Sequence, residues 1–201
     1  LAENGDFVFS SDDKTMLYQV RSMASTGPVS HIWRAEVTES GWSEQAPLPE
    51  PVNTPHFESF ASDTAAGTLY FFSRRPGGKG RSDLWRCPLA GGRYAGAVNL
   101  ASLNTEYDEW DPFVAPDESY LIFCSTKPGG LGRDDLYITF KTEDGIWGQP
   151  VNMGPEVNSS GSENRPCVTR DGKYFFFTST RNGSRDVFWV KAEYLEQFKR
   201  K

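Results

Sequence analysis

The sequence predicts an all-β fold in which four-stranded antiparallel sheets repeat around an axis, a β-propeller. Three spacings carry that prediction. The aromatic after a charged turn falls at Trp33, Trp85, Tyr137 and Phe188, separated by 52, 52 and 51 residues. The aromatic that opens a later segment falls at Trp42, Tyr94 and Trp147, and an Asn before a small hydroxyl residue falls at Asn53, Asn104 and Asn158. All three markers agree on a period near 52, and self-similarity at such a period marks stacked supersecondary units.

Within one period four strands are legible, most clearly in the third copy. "DPFVA" (111–115) is a short apolar run, "SYLIFCS" (119–125) a longer one, "DLYITFK" (135–141) alternates, and "IWGQPVNM" (146–153) is half polar, as suits an edge. Turn residues Asp117, Glu118 and Ser119 separate the first two, matched by Asp12-Asp13-Lys14 and Asp171-Gly172-Lys173. One such sheet cannot bury both its faces, so copies must stack face to face around a ring. The repeats run approximately over 6–54, 55–107, 108–161 and 162–192 in a single domain, 1–201.

The fourth copy lacks the aromatic-Pro-Asn signature of an outer strand. Its tail, "EYLEQFKRK", predicts a short C-terminal helix over 192–200, with acids before and bases after. The missing strand must then come from residues 1–6, or the ring is larger than four blades and is completed by a further N-terminal blade or by another chain.

Composition supports a turn-rich β protein, with 14% aromatic residues, 19 Gly and 13 Pro. A formal charge of -6 argues against a nucleic-acid partner, which needs a clustered basic surface. No apolar run reaches the roughly 18 to 20 residues of a membrane helix, so membrane insertion is not expected. A chain that begins at Leu1 rather than Met is compatible with the mature form of an exported protein, and the residues leave the compartment open. Cys87, Cys124 and Cys167 lie far apart in apolar patterns and read as buried thiols, not as a disulfide framework.

Between the second and third strands the chain writes "RRPGGKGRSDLW" (74–85), then "TKPGGLGRDDLY" (126–137), then the shorter "TRNGSRDVF" (180–188). The glycines permit positive φ, and Asp83, Asp135 and Asp186 are expected to accept hydrogen bonds from the turn amides. These are structural turn positions. The segments "GGKG" and "GGLG" do not precede Lys-Ser/Thr on a helix and are not phosphate loops. In the first copy the glycine turn is missing and His31 stands where the others carry Asp.

In an antiparallel blade this turn shares a rim with the loop that runs to the next blade. Loops on a rigid ring are where binding concentrates. The candidate ligand-binding residues are therefore Arg74, Arg75, Glu109, Trp110, Asp111, Lys127, Glu163, Arg165 and Arg181, a mixed-charge ring with Trp110 as a stacking platform for a glycan or peptide. The competing structural reading makes Arg74, Lys127 and Arg181 one repeat position, bracing Glu58, Glu109 or Glu163 between blades. No catalytic residue is assigned. His31 and His56 have neither nucleophile nor ligand motif beside them, and a hydrolase would have to use rim carboxylates such as Glu109, Asp111 and Glu163. No cofactor is expected; calcium on "NTEYDEWD" (104–111) lacks the spacing of a dedicated loop.

The segments "DPFVAPDESYLIFCSTKPGGLGRDDLY" and "GIWGQPVNMGPEVNSS" resemble the WD-repeat-like, TolB-type β-propeller repeat of bacterial exported proteins. That repeat runs P-x-x-S-P-D-G-x-x-L-x-F-x-S-x-R-x-G-G-x-G-x-x-D-L-Y and ends W-x-x-P-x-N-L-G. The match covers residues 55–190 well and 6–54 loosely, where "VRSMASTGPVSHIW" departs from it. The resemblance implies a periplasmic or extracellular propeller used for binding or scaffolding, with a protein, glycan or peptide as partner.

Overall fold

The computed structural model describes residues 3–24 and 27–199. They form four antiparallel sheets, the blades of a four-bladed propeller. Blade 1 holds β1 (Glu3–Phe9), β2 (Thr15–Ala24), β3 (Gly27–Thr38) and the short β4 (Gly41–Trp42) and β5 (Ala46–Pro47). Blade 2 holds β6 (Glu58–Asp63), β7 (Leu69–Ser73), β8 (Asp83–Cys87) and, after a small hairpin of β9 (Leu89–Ala90) and β10 (Arg93–Tyr94), β11 (Val98–Asn99). Blade 3 comprises β12 (Glu109–Val114), β13 (Tyr120–Ser125), β14 (Asp135–Phe140) and β15 (Val151–Asn152). Blade 4 has three strands, β16 (Glu163–Val168), β17 (Tyr174–Ser179) and β18 (Asp186–Lys191), followed by a 3-10 helix, Ala192–Phe198.

The second strands of blades 2 and 3, β7 and β13, are apolar on both faces because each is sandwiched between two neighbouring blades. Leu69 and Phe71 turn toward blade 1, joining Leu17, Ile32, Leu48 and Val52. Tyr70 and Phe72 turn the other way, to Leu121, Phe123 and Tyr137 of blade 3. In blade 3, Ile122 and Cys124 face Phe175 and Phe177 of blade 4. Burying each such side chain contributes about 1.5–3 kcal/mol, so these three clusters carry most of the ring's stability. The C-terminal helix adds Leu195 and Phe198 to the last of them.

The Asn-hydroxyl doublet is the joint between blades. Asn53 accepts from the backbone N–H of Ile32 at 2.8 Å and donates to its carbonyl at 2.8 Å. Asn104 does the same to Leu84, and Asn158 to Leu136. The following hydroxyl residue grips the next blade, as Thr54 donates to Glu58 and Thr105 to Glu109.

The glycine phrase also has two structural duties. At Gly78 and Gly130 a Cβ would overlap the carboxyl of Asp83 or Asp135. At Gly80 it would overlap the carbonyl of Tyr107, and at Gly132 those of Gly161 and Ser159, all in the loop entering the next blade. The turn is thus the seat on which the inter-blade loop rests.

Several expectations are corrected. The outer strand of blade 3 shrinks to Val151–Asn152, with one bridge from Lys141 to Trp147, because Gly148 and Pro150 interrupt pairing. The C-terminal helix is 3-10 and spans Ala192–Phe198; the expected end at 200 lies outside the described residues. All three cysteines are free, with Cys87 and Cys124 buried, but Cys167 is exposed because it sits on an inner-strand bulge where the repeat no longer alternates.

Candidate functional site

The rim residues divide into braces and a channel group. Glu58, Glu109 and Glu163 open the innermost strands and are fully buried. Glu109 accepts from the Thr105 N–H at 2.8 Å, the Thr105 hydroxyl at 2.6 Å and the Ser125 hydroxyl at 2.8 Å. Burial pushes its carboxyl upward from the ordinary range, while the Thr105 and Ser125 bonds pull it back. Glu163 repeats the pattern with Ser159 and Ser179, and Glu58 with Thr54 and Ser73. All three carboxylates are thus spent on donors inside the protein.

Arg75, not Arg74, shares a repeat position with Lys127 and Arg181, because each backbone N–H there bonds the hydroxyl two residues earlier, Ser73, Ser125 or Ser179. The Arg75 guanidinium lies 3.4 Å from Glu58, donates to the Pro51 carbonyl at 2.8 Å and stacks over Phe71 and Trp85. Arg181 lies over Phe177 and Phe188 and 3.9 Å from Glu163. The Lys127 ammonium sits 4.0 Å from the Tyr137 ring centroid, and Arg74 4.4 Å from that of Phe57. These cations are folded onto aromatic faces, and the Arg-Glu contacts stay within a blade.

Asp83 accepts from the N–H groups of Lys79 and Gly80 at 2.7 and 2.8 Å, and Asp135 from those of Leu131 and Gly132 at 2.5 and 3.0 Å. Asp186 differs. It is exposed and accepts from the Ser184 hydroxyl at 2.7 Å, since the shorter "TRNGSRD" turn does not wrap back over it.

The remaining three candidates, Trp110, Asp111 and Arg165, meet at the axis. Each innermost strand carries a bulge at the same place, between Asn4 and Phe7, Ser59 and Ser62, Trp110 and Phe113, and Asn164 and Cys167. A bulge re-aims a side chain. At three of the four the bulged residue is left-handed: Phe60 at φ 51°, Asp111 at φ 50° and Arg165 at φ 55°. Left-handed backbone at non-Gly residues costs of order 1–3 kcal/mol and gathers at functional sites.

These bulges line a cavity of about 130 Å³ on the ring axis, together with Asp6, Gln19, Arg21 and Arg185. Arg165 pairs with Asp6 at 2.9 Å, Gln19 donates to the same carboxyl at 3.1 Å, and Gln19 in turn accepts from Ser59. Asp111 accepts from the Arg165 backbone N–H at 3.3 Å. Burial pushes the Asp111 carboxyl up to about 7; Arg165 and Arg185 oppose that shift and Asp6 adds to it. A carboxyl poised near neutrality beside a guanidinium, in a cavity walled by Trp110 and Phe60, can donate as well as accept a proton or hydrogen bond.

Asp6, Gln19, Arg21, Phe60, Asn164 and Arg185 were not singled out from the sequence. The signal that finds part of the group is the second residue after each buried Glu, which is Phe60, Asp111 and Arg165. The carboxylates of "NTEYDEWD" scatter: Glu109 enters the brace, Asp108 accepts from the Ser82 N–H, and Asp111 faces the channel. Among the described residues no cluster of three or more His, Cys, Asp or Glu gathers as a metal site.

A comparison with solved structures decides the fold type. A protein assigned as TolB from Agrobacterium tumefaciens superposes over 96% of this chain with a TM-score of 0.62 at 15% identity. The fold is a β-propeller, similar to that of this TolB protein. The chain spans 59% of the length of that protein. An α-L-arabinofuranosidase from Lactobacillus brevis matches with a TM-score of 0.59 and 13% identity, over 92% of this chain and 70% of its own. A prolyl endopeptidase matches with a TM-score of 0.58 and 14% identity, over 96% of this chain and 25% of its own. No protein-family model and no curated protein matches the sequence.

The channel carboxyl is expected to make the stability of the chain depend on pH. Its folded value of about 7 lies above the ordinary 3.8, so between these the native state keeps a proton that the unfolded chain has lost. That contribution is full below about pH 4 and lost as pH rises through about 7, an effect on the order of 2–4 kcal/mol. Asp111→Asn is expected to melt higher than the parent at alkaline pH and to flatten the decline from mildly acid pH. Thermal melts of both proteins across this range check it; equal slopes would show that the carboxyl titrates normally.

Proposed function

We propose that this chain is a binding module whose axial channel takes a polar ligand, a glycan or peptide segment, in an exported setting. The observation that carries this reading is the Asp111 and Arg165 pair, two neighbouring charged residues held by bulges in left-handed backbone and aimed into one cavity. Such strain is retained where something must be presented in a fixed direction. The aromatic walls suit the apolar face of a sugar ring or a side chain, and the charged groups suit its hydroxyls or amides. Among the described residues no helix is long and apolar enough to cross a membrane, and the TolB likeness supports an exported setting.

A second reading, hydrolysis, draws on one observation: a carboxyl that stays protonated to about pH 7 can serve as a general acid. Glu109 and Glu163 do not enter it, since their oxygens are consumed in the braces.

A thermal-shift screen against oligosaccharides and peptides tests the proposal, repeated on Asp111→Asn and Arg165→Ala. A ligand at 100 times its Kd adds about 2.7 kcal/mol. At least one class should stabilise the parent, and each variant should bind it about tenfold or more weakly. Unchanged affinity in both variants would overturn the channel assignment. Turnover of a bound oligosaccharide, abolished by Asp111→Asn, would favour hydrolysis instead.

A further inference from the structure

The packing that joins blade to blade does not stop at the fourth blade. Leu84 pairs with Phe72, Leu136 with Cys124 and Val187 with Thr178, so the three share one repeat position on the side turned to the following blade. Leu84 and Leu136 are 0% exposed there, whereas Val187 is 68% exposed. Two residues on, Trp189 is 57% exposed and stands edge-on to Tyr174, 5.2 Å between ring centroids. Phe176, paired with Trp189, extends the patch.

The other end of the array carries the matching side. Tyr18 pairs with Trp33 as Phe71 pairs with Trp85, so this is the side that in blade 2 receives the preceding blade. On it Phe7 is 66% and Trp42 50% exposed, with the Phe9 ring tilted against Trp42 at 6.1 Å between centroids. The two ends do not cover each other, and none of the three core clusters joins blade 4 to blade 1. Arg165 reaches Asp6 and Arg170 reaches Asp13. Beside them lies a cavity of about 430 Å³ bounded by Phe7, Phe9, Cys167 and Arg170.

We propose that the exposed face of blade 4 receives blade 1 of a second copy of this chain, head to tail. The contact continues an interface that the chain already makes three times, between the same two kinds of face. Charge favours it as well: the β1–β2 turn of blade 1 presents Asp12 and Asp13, and blade 4 presents Arg170, Lys173 and Lys191, signs that already attract in the Arg170 and Asp13 pair. A contact between two unlike faces is heterologous, so it either closes a ring of copies or adds copies in a row.

Sedimentation equilibrium over a wide concentration range tests this with three proteins: the parent, Val187→Asp with Trp189→Asp, and Phe7→Asp with Phe9→Asp. All four positions are exposed, so the variants should keep the parent's circular dichroism. The parent should show at least twice the monomer mass, and each variant alone should be monomeric. Mixed, the variants should form a one-to-one pair, because each retains the face the other lacks. A parent that stays monomeric, variants that still self-associate, or a mixture that stays monomeric would each overturn the proposal.

Discussion

Glu109→Ala is expected to lower stability by about 3–5 kcal/mol, the range for removing one partner of a buried charged network. The cause is the set of donors left behind. The Thr105 N–H, the Thr105 hydroxyl and the Ser125 hydroxyl all point at the two carboxylate oxygens. Each unsatisfied buried donor costs about 1–3 kcal/mol, and the joint between blades 2 and 3 loses its grip on the incoming loop. Glu109→Gln should cost less, because one carbonyl oxygen can still accept from both hydroxyls while the new amide meets the Thr105 N–H donor to donor. Urea unfolding of the two variants beside the parent measures this. If Ala and Gln cost the same small amount, the brace is not what holds the joint.

The second large effect is expected at Gly132. Its φ is ordinary, so a substitution there is not resisted by backbone conformation. It is resisted by space, since a new Cβ would lie inside contact distance of the Gly161 and Ser159 carbonyls, which are backbone and cannot swing aside. Gly132→Ala should cost roughly 3 kcal/mol, and the melting temperature should fall by roughly 6–12 °C for a chain of this size. Gly145→Ala is the control, with left-handed backbone at φ 74° but open space around it, and should cost about 1 kcal/mol, the usual penalty of an L-residue in that region. A fall at Gly132 no larger than at Gly145 would mean that the loop yields.

The sequence displays its architecture because a repeat writes each structural requirement several times. Asn53, Asn104 and Asn158 were legible as a spacing before their role as joints was known, and the apolar run "SYLIFCS" marked a strand that the structure buries between two blades. The site was harder to read for the same reason. Phe60, Asp111 and Arg165 share a position but no chemistry, so no repetition marks them, and only the bulges turn them to the axis. Conversely, Glu109, Glu163, Arg75 and Arg181 drew notice as charged rim residues, yet the repetition that made them visible belongs to bracing. Asp6 and Gln19 reach the channel through contacts to other repeats, with Arg165 and Ser59, and Arg185 lines it from the turn before β18, which no local pattern encodes.

The Asn joints have one more implication. Each holds the preceding blade by a main-chain N–H and carbonyl, those of Ile32, Leu84 and Leu136. Those atoms are common to every residue but proline, so this part of the coupling does not inspect side chains, and what Asn104 and Asn158 add is one bond each to an Asn of the outer strand, Asn99 or Asn152. The partners of each buried Glu, by contrast, travel on the same stretch of chain as the Glu itself. A gene segment cut just before such an Asn therefore carries its own fastening and can be duplicated behind any other copy, which lets an array of this kind lengthen in whole units while its inward-facing residues diverge.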